Sequence, residues 1–218
     1  MTKLDTLFEK ININPNNKDL YQSALTHPSC NANGKSKYED YDRLEFMGDS
    51  VLNFVTADLA FSFHPEMNEG KLSKLRSNIV KRDSLANYAR KINLYQYIHA
   101  NKSFTEEVLK NSDKILEDVF EAIIGAIFID LGLDVAYKYI EGFILDDVKS
   151  GVLAEQIDFK TKLQEAFQAE HREAIQYVLV KKTGTDNEPT FTIKAKSQNL
   201  SAESTVQVDV KSRGIPAV

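Results

Sequence analysis

From the N-terminus to about residue 150 the apolar positions recur at spacings of three and four, the repeat of amphipathic helices. Leu44, Met47, Val51, Leu52 and Val55 follow it, as do Leu72, Leu75 and Ile79, and then Leu85 and Tyr88. Ile115, Leu116, Val119, Phe120, Ile123, Ile124, Ile127 and Phe128 are apolar on more than one side, which predicts a central helix enclosed by its neighbours. The polar stretch from about Asn101 to Asp113 reads as a loop or a short frayed helix. After Asp158 the grammar changes. A short amphipathic helix, Phe159 to about Ala169, precedes strand-like runs at Gln176–Lys182, Thr190–Lys196 and Ser204–Val210, with a Gly, Asn and Asp-rich turn at Thr183–Pro189. The expected fold is an all-α domain over residues 1–150, a linker over 151–157, and a small α-β-β-β domain over 158–218.

The 218 residues, 42% hydrophobic and 27% charged, are ordinary for a globular chain and exclude disordered and low-complexity classes. Cys30 is the single cysteine, so neither an internal disulfide nor a cysteine-based zinc site can form within the chain. With no signal-like N-terminus and no apolar run near the ~18 residues of a spanning helix, the expectation is a soluble, cytoplasmic protein with no membrane partner. The formal charge of −5 carries no nucleic-acid signature by itself. It divides unevenly: residues 1–155 hold 18 basic and 24 acidic residues, whereas 156–218 hold 9 and 8.

The acids have a pattern. Asp42, Glu45 and Asp49 at i, i+3 and i+7 share one helix face, and Asp118 and Glu121 form an i, i+3 pair inside the most hydrophobic helix. A carboxylate in an apolar setting is costly unless it is paired, hydrogen-bonded or bound to a cation. Arginine partners, a divalent metal or simple exposure would each answer that cost. If the two faces meet, their oxygens suit a hard cation such as Mg²⁺ or Mn²⁺, the usual agents of phosphoryl chemistry. None of the four histidines stands three residues after a Glu, as a di-iron site of the ferritin type would want. Gly48 and Gly125 adjoin or share the acidic faces, at a helix cost of about 1 kcal/mol each relative to Ala, which close approach of another backbone or of substrate would justify. His27 beside Pro28 reads as a packing or capping residue.

Asp42-Arg43-Leu44-Glu45-Phe46-Met47-Gly48-Asp49-Ser50 resembles the nine-residue signature of the ribonuclease III family, with Met47 in place of the usual Leu or Val. Ile115 to Ala126 resembles the family's second catalytic segment, although Glu117 stands where a small residue is usual. Ala24-Leu25-Thr26-His27 and Glu69-Gly70-Lys71-Leu72-Ser73 agree with it. Asp158 to Glu165 is similar to the opening helix of a double-stranded-RNA-binding domain. The resemblance implies a homodimeric, Mg²⁺-dependent endonuclease of double-stranded RNA, with Mn²⁺ substituting and no organic cofactor. It would leave 5′-phosphate and 3′-hydroxyl ends with short 3′ overhangs and would process rRNA and mRNA precursors.

By position, the resemblance makes Glu45, Asp49, Asp118 and Glu121 the catalytic, metal-binding carboxylates. Asp42 and Glu69 match accessory acidic positions, and Phe46 an aromatic that plugs into the partner subunit. Thr161, Gln164 and Glu165 match RNA contacts, which read 2′-hydroxyls and phosphates rather than base edges, and Asn187, in the turn that makes the second contact, stands where the family often has a histidine. The chain departs from the family after the third strand. Val208 to Val218 contains Gly214 and Pro216 and does not rebuild the expected basic final helix, so the RNA-binding domain is expected to be C-terminally incomplete. Two other readings are a non-catalytic double-stranded-RNA-binding relative and a helical phosphohydrolase of small nucleotides. The first typically lacks one or more of the four acids, and the second leaves the C-terminal domain unexplained.

Overall fold

The most apolar stretch of the chain dictates where the centre lies. In the computed structural model, which describes residues 2–31, 37–151, 176–185, 188–196 and 201–207, Asp113–Leu131 forms a 19-residue helix. Numbered in chain order, the helices are α1 (Lys3–Lys10), α2 (Lys18–Ala24), α3 (Asp42–Phe63), α4 (Glu69–Ile79), α5 (Arg82–Lys91), α6 (Glu106–Asn111), α7 (Asp113–Leu131) and α8 (Leu133–Ser150). Twelve residues of α7 are buried, from Ile115 to Ile127, because α2, α3, α5 and α8 all pack on it. An apolar surface on every side leaves no face for water, so the helix is stable only when enclosed. The expected central helix is therefore present.

Local chemistry sets the helix ends. Thr2 and Asp5 form a reciprocal capping box at the start of α1, and the side chains of Asn17, Asn68, Thr105 and Ser112 accept backbone N–H bonds at the starts of α2, α4, α6 and α7. The cap at Thr105 explains why the polar stretch before α7 contains six helical residues rather than loop alone. Gly132, at φ 84°, separates α7 from α8 in a conformation that L side chains rarely adopt. Between α7 and α8 an aromatic cluster fills the core: Phe120 lies 5.2 Å from Phe143 and 6.0 Å from both Tyr88 and Tyr139.

One crossing differs from the rest. Helices normally pack with axes ~8–10 Å apart because side chains stand between them. Where α3 meets α7, a Cβ added to Gly48 would lie 1.8 Å from the Glu121 carbonyl oxygen, and one added to Gly125 would lie 2.2 Å from that of Leu44. The two helices touch backbone to backbone at reciprocal glycines. The backbone-contact reading of these glycines holds.

The chain divides into two compact units, residues 1–156 and 157–218. The second contains an antiparallel sheet in the order β1 (Gln176–Thr185), β2 (Glu188–Lys196) and β3 (Ser201–Gln207). Strand β1 runs three residues beyond its expected end, since pairing continues through Gly184↔Pro189 to Thr185↔Glu188. Strand β3 starts three residues earlier than expected, because Ser201 pairs with Lys196 and each further ladder bond satisfies backbone groups. The expected helix at Phe159–Ala169, nearly all of the linker and the chain end beyond Gln207 lie outside the described residues. No helix among the described residues is long and apolar enough to cross a membrane.

The crossing yields a stability prediction. Gly48→Ala should destabilise the fold by about 3 kcal/mol or more, because the methyl group collides with a carbonyl that cannot move without its helix. Gly142→Ala, also within a helix but with nothing within 4 Å of the added Cβ, should instead stabilise by about 0.5–1 kcal/mol. Urea denaturation of the two variants checks both signs.

Candidate active site

The acidic face of α3 is set by where the helix begins. The Glu45 N–H donates to the Tyr41 carbonyl at 2.8 Å, closing the first turn, and helical periodicity then aligns Asp42, Glu45 and Asp49. On α7, Asp118 and Glu121 are one turn apart. The Glu121 carbonyl is the atom beneath Gly48, so the glycine contact that joins the helices also brings the second pair of carboxylates to the first. Asp118 and Glu121 are buried, at 4% and 7% exposure, Glu45 is half-buried, and Asp42 and Asp49 reach solvent.

The electrostatics follow from this convergence. Glu121 has its carboxyl pKa pushed up to about 8, first by burial and then by the charges of Asp49, Glu117, Glu45 and Asp118. Burial also raises Glu45, with Asp118 adding to the shift and Lys114 opposing it. Asp42 is raised by burial and then by Asp40 and Asp118.

Two of the acids have cations beside them. The Lys114 ammonium donates to both oxygens of Asp118 at 3.0 and 2.9 Å, and the Tyr41 hydroxyl donates to Asp118 Oδ2 at 3.2 Å. Arg82, the first residue of α5, donates from Nε to Glu117 at 2.6 Å. That pair explains how a carboxylate is accommodated where a small residue was expected. Asp49 accepts from the Asn53 amide at 2.8 Å. Glu121 has no hydrogen-bond or ion partner among the described residues.

As they stand, no three His, Cys, Asp or Glu side chains among the described residues are gathered closely enough to hold a metal ion. The donors are nonetheless all carboxylate oxygens, and the buried Glu121 is unpartnered, a set whose chemistry fits a hard divalent cation.

Glu69 is not brought to this cluster. It opens α4, where it accepts from the Ser73 hydroxyl at 2.8 Å, and it lines a cleft with Ala57, Ala60 and Phe61 at the far end of α3. Phe46 is 75% exposed. Thr161, Gln164, Glu165 and Asn187 lie outside the described residues. His27 caps and packs: its Nδ1 accepts from the Ser29 N–H at 3.0 Å, and its ring meets Tyr41 edge-on at 5.7 Å. Sequence reasoning missed Lys114, Tyr41 and Arg82. Lys114 was legible as the residue four before Asp118, whereas Arg82 and Glu117 are 35 residues apart and carried no local signal.

The Ribonuclease-III-like family model matches residues 17–148. Ribonuclease 3 of Phytoplasma mali is 38% identical over 189 residues, covering 87% of this chain and 82% of that protein. Ribonuclease 3 of Listeria innocua is 32% identical over 192 residues, covering 88% and 84%. Among solved structures, the nuclease domain of ribonuclease III from Campylobacter jejuni superposes with a TM-score of 0.58 at 32% identity, covering 72% of this chain and all of that one. A second structure of that domain, described for flexibility in a region involved in dimer formation, gives 0.59 at 32% identity, covering 68% and 98%. The chain belongs to the ribonuclease III family. The family model falls within the helical first unit.

The raised Glu121 pKa gives a pH prediction. Its folded-state value of about 8 lies above the usual 4.5, so between those pH values the folded chain holds a proton that the unfolded chain has lost. Stability therefore falls as pH rises through that window. In chelator-treated buffer, Glu121→Gln should melt higher than the parent at pH 8–9, by about 3–8 °C for a chain of this size. The difference should close toward pH 5, and melting curves at several pH values check it.

Proposed function

We propose that this chain hydrolyses phosphodiester bonds of double-stranded RNA, with Glu45, Asp49, Asp118 and Glu121 as its catalytic carboxylates. The observation that carries this reading is the meeting of the two carboxylate pairs across the Gly48–Gly125 contact, with Glu121 buried and unpartnered. These four residues hold Mg²⁺, with Mn²⁺ able to substitute. When bound, the cation supplies a more acidic water as nucleophile and offsets charge building on the phosphate. Glu121 would hold the cation as an ionised carboxylate, the form that a bound cation favours. Asp49 lies at the solvent edge of the cluster. Asp42, on the same face of α3 as Glu45 and Asp49, serves as an accessory acid.

The products are 5′-phosphate and 3′-hydroxyl ends with short 3′ overhangs, formed as two sites in a homodimer each cut one strand. Support for the dimer lies on α3, whose Phe46, Phe54 and Phe61 are 75%, 55% and 72% exposed. Large aromatic rings in water on one helix point to a surface that is covered in the assembly. Phe46, next to Glu45 in sequence, inserts into the partner. Thr161, Gln164, Glu165 and Asn187 contact the duplex backbone, and precursors of rRNA and mRNA in the cytoplasm are the natural substrates.

Incubating the chain with a long labelled RNA duplex should give short products with Mg²⁺ and none with chelator, while a single-stranded control stays intact. Glu121→Gln should lower the cleavage rate by about 10³-fold or more, as expected when a metal-site charge is lost, and should still shift the duplex in a gel. Cutting at the parent rate would refute the site. Phe46→Ala should weaken self-association by about tenfold or more, as loss of a buried aromatic anchor does. Sedimentation velocity across a dilution series reads this directly.

A further inference from the structure

We propose that the two side chains holding Asp118, the Tyr41 hydroxyl and the Lys114 ammonium, set the divalent-cation affinity of the site in opposite directions. The inference rests on the metal-binding reading of Asp118 and adds the residues that govern it.

The two donors differ in how they are held. Tyr41 is 3% exposed and is fixed on both sides of its own backbone: its N–H donates to the Thr26 carbonyl at 3.1 Å, and its carbonyl accepts from Glu45 at 2.8 Å. The ring is also wedged edge-on against His27. Its hydroxyl therefore has one place to be, 3.2 Å from Asp118 Oδ2. Lys114 lies one turn before Asp118 on the same helix, with its side chain 65% exposed while that of Asp118 is 5% exposed. Its long stem lets the ammonium swing into water without disturbing the core. One donor is rigid and the other is free to leave.

They differ equally in charge. The Tyr41 hydroxyl, like any tyrosine's with a pKa of about 10, donates as a neutral group at working pH. A neutral hydrogen bond occupies one lone pair of the carboxylate, leaves its charge intact and fixes the plane in which it is presented. That is how outer partners strengthen a metal ligand. Lys114 instead cancels the charge that a divalent cation needs, at both oxygens at once, and its field reaches Glu45 as well. Tyr41 is thus a positioning residue, and Lys114 is an internal competitor that keeps Asp118 compensated until a stronger cation displaces it.

The test titrates the full chain, free of RNA, with Mn²⁺ while electron paramagnetic resonance counts the free ion. Tyr41→Phe, which keeps the ring, should weaken Mn²⁺ binding by about tenfold. Lys114→Met should tighten it by about three- to tenfold, because a competing charge within hydrogen-bond distance has gone. Lys114→Arg should stay near the parent value, and the Mg²⁺ midpoint for duplex cleavage should move in the same directions. Parent-like Mn²⁺ affinity in both Tyr41→Phe and Lys114→Met, or a shift of both in the same direction, would overturn the inference. A lower melting temperature for Tyr41→Phe at unchanged affinity would reduce Tyr41 to a packing residue and would overturn it too. An unmodified chain that binds no Mn²⁺ would sink the metal reading itself, a result distinct from Mn²⁺ bound at unchanged strength.

Discussion

The contact between the backbones of α3 and α7 at Gly48 and Gly125 is the constraint on which the catalytic unit depends. Any side chain at either position would hold the helices apart, since a single methyl group would already overlap a carbonyl. With the helices in contact, α7 can be enclosed on all sides, and the carboxylates of α3 come to rest beside Asp118 and Glu121. The burial of Glu121, the mutual repulsion of the acids and the proton held on Glu121 near neutral pH all descend from that one approach. An acidic site of this kind is a by-product of tight packing as much as of acidic residues.

So concentrated a set of carboxylates would oppose folding if nothing offset it. The chain does so unevenly: Lys114 covers Asp118, Arg82 covers Glu117, and Glu121 is left to protonation. Breaking a buried pair costs far more than a pair on the surface is worth, so these contacts matter in proportion to the depth of the acid. The free protein is consequently folded around an incomplete charge balance. On the proposed reading, a divalent cation would complete that balance instead of merely occupying a hole.

Much of this was legible in the sequence because helical periodicity is a strong signal over long runs. The apolar circumference of α7 predicted its central place, and the acids at i, i+3 and i+7 predicted their shared face. Gly48 and Gly125 were suspicious as costly residues within helices, and the structure supplies the backbone approach that their cost implied. Strand ends were less legible, since ladder pairing such as Lys196↔Ser201 is decided between segments rather than within one. Arg82 was silent for the same reason: its partner is distant in sequence, and an exposed arginine at a helix start looks like any other. Tyr41 was silent because a tyrosine just before a helix carries no mark of the carboxylate its hydroxyl will reach.

The absence of side chains at the α3–α7 crossing also bears on how such a sequence can drift. Elsewhere in the core, Leu, Ile and Phe can exchange and neighbours can repack, so the interior has many near-equivalent solutions. At the glycine crossing there is no smaller residue to accept and no rotamer to adjust. Substitutions across the rest of the interior can wander and be compensated, while the separation of the two acidic segments stays pinned. The chemistry of the site is thereby insulated from the history of its own core.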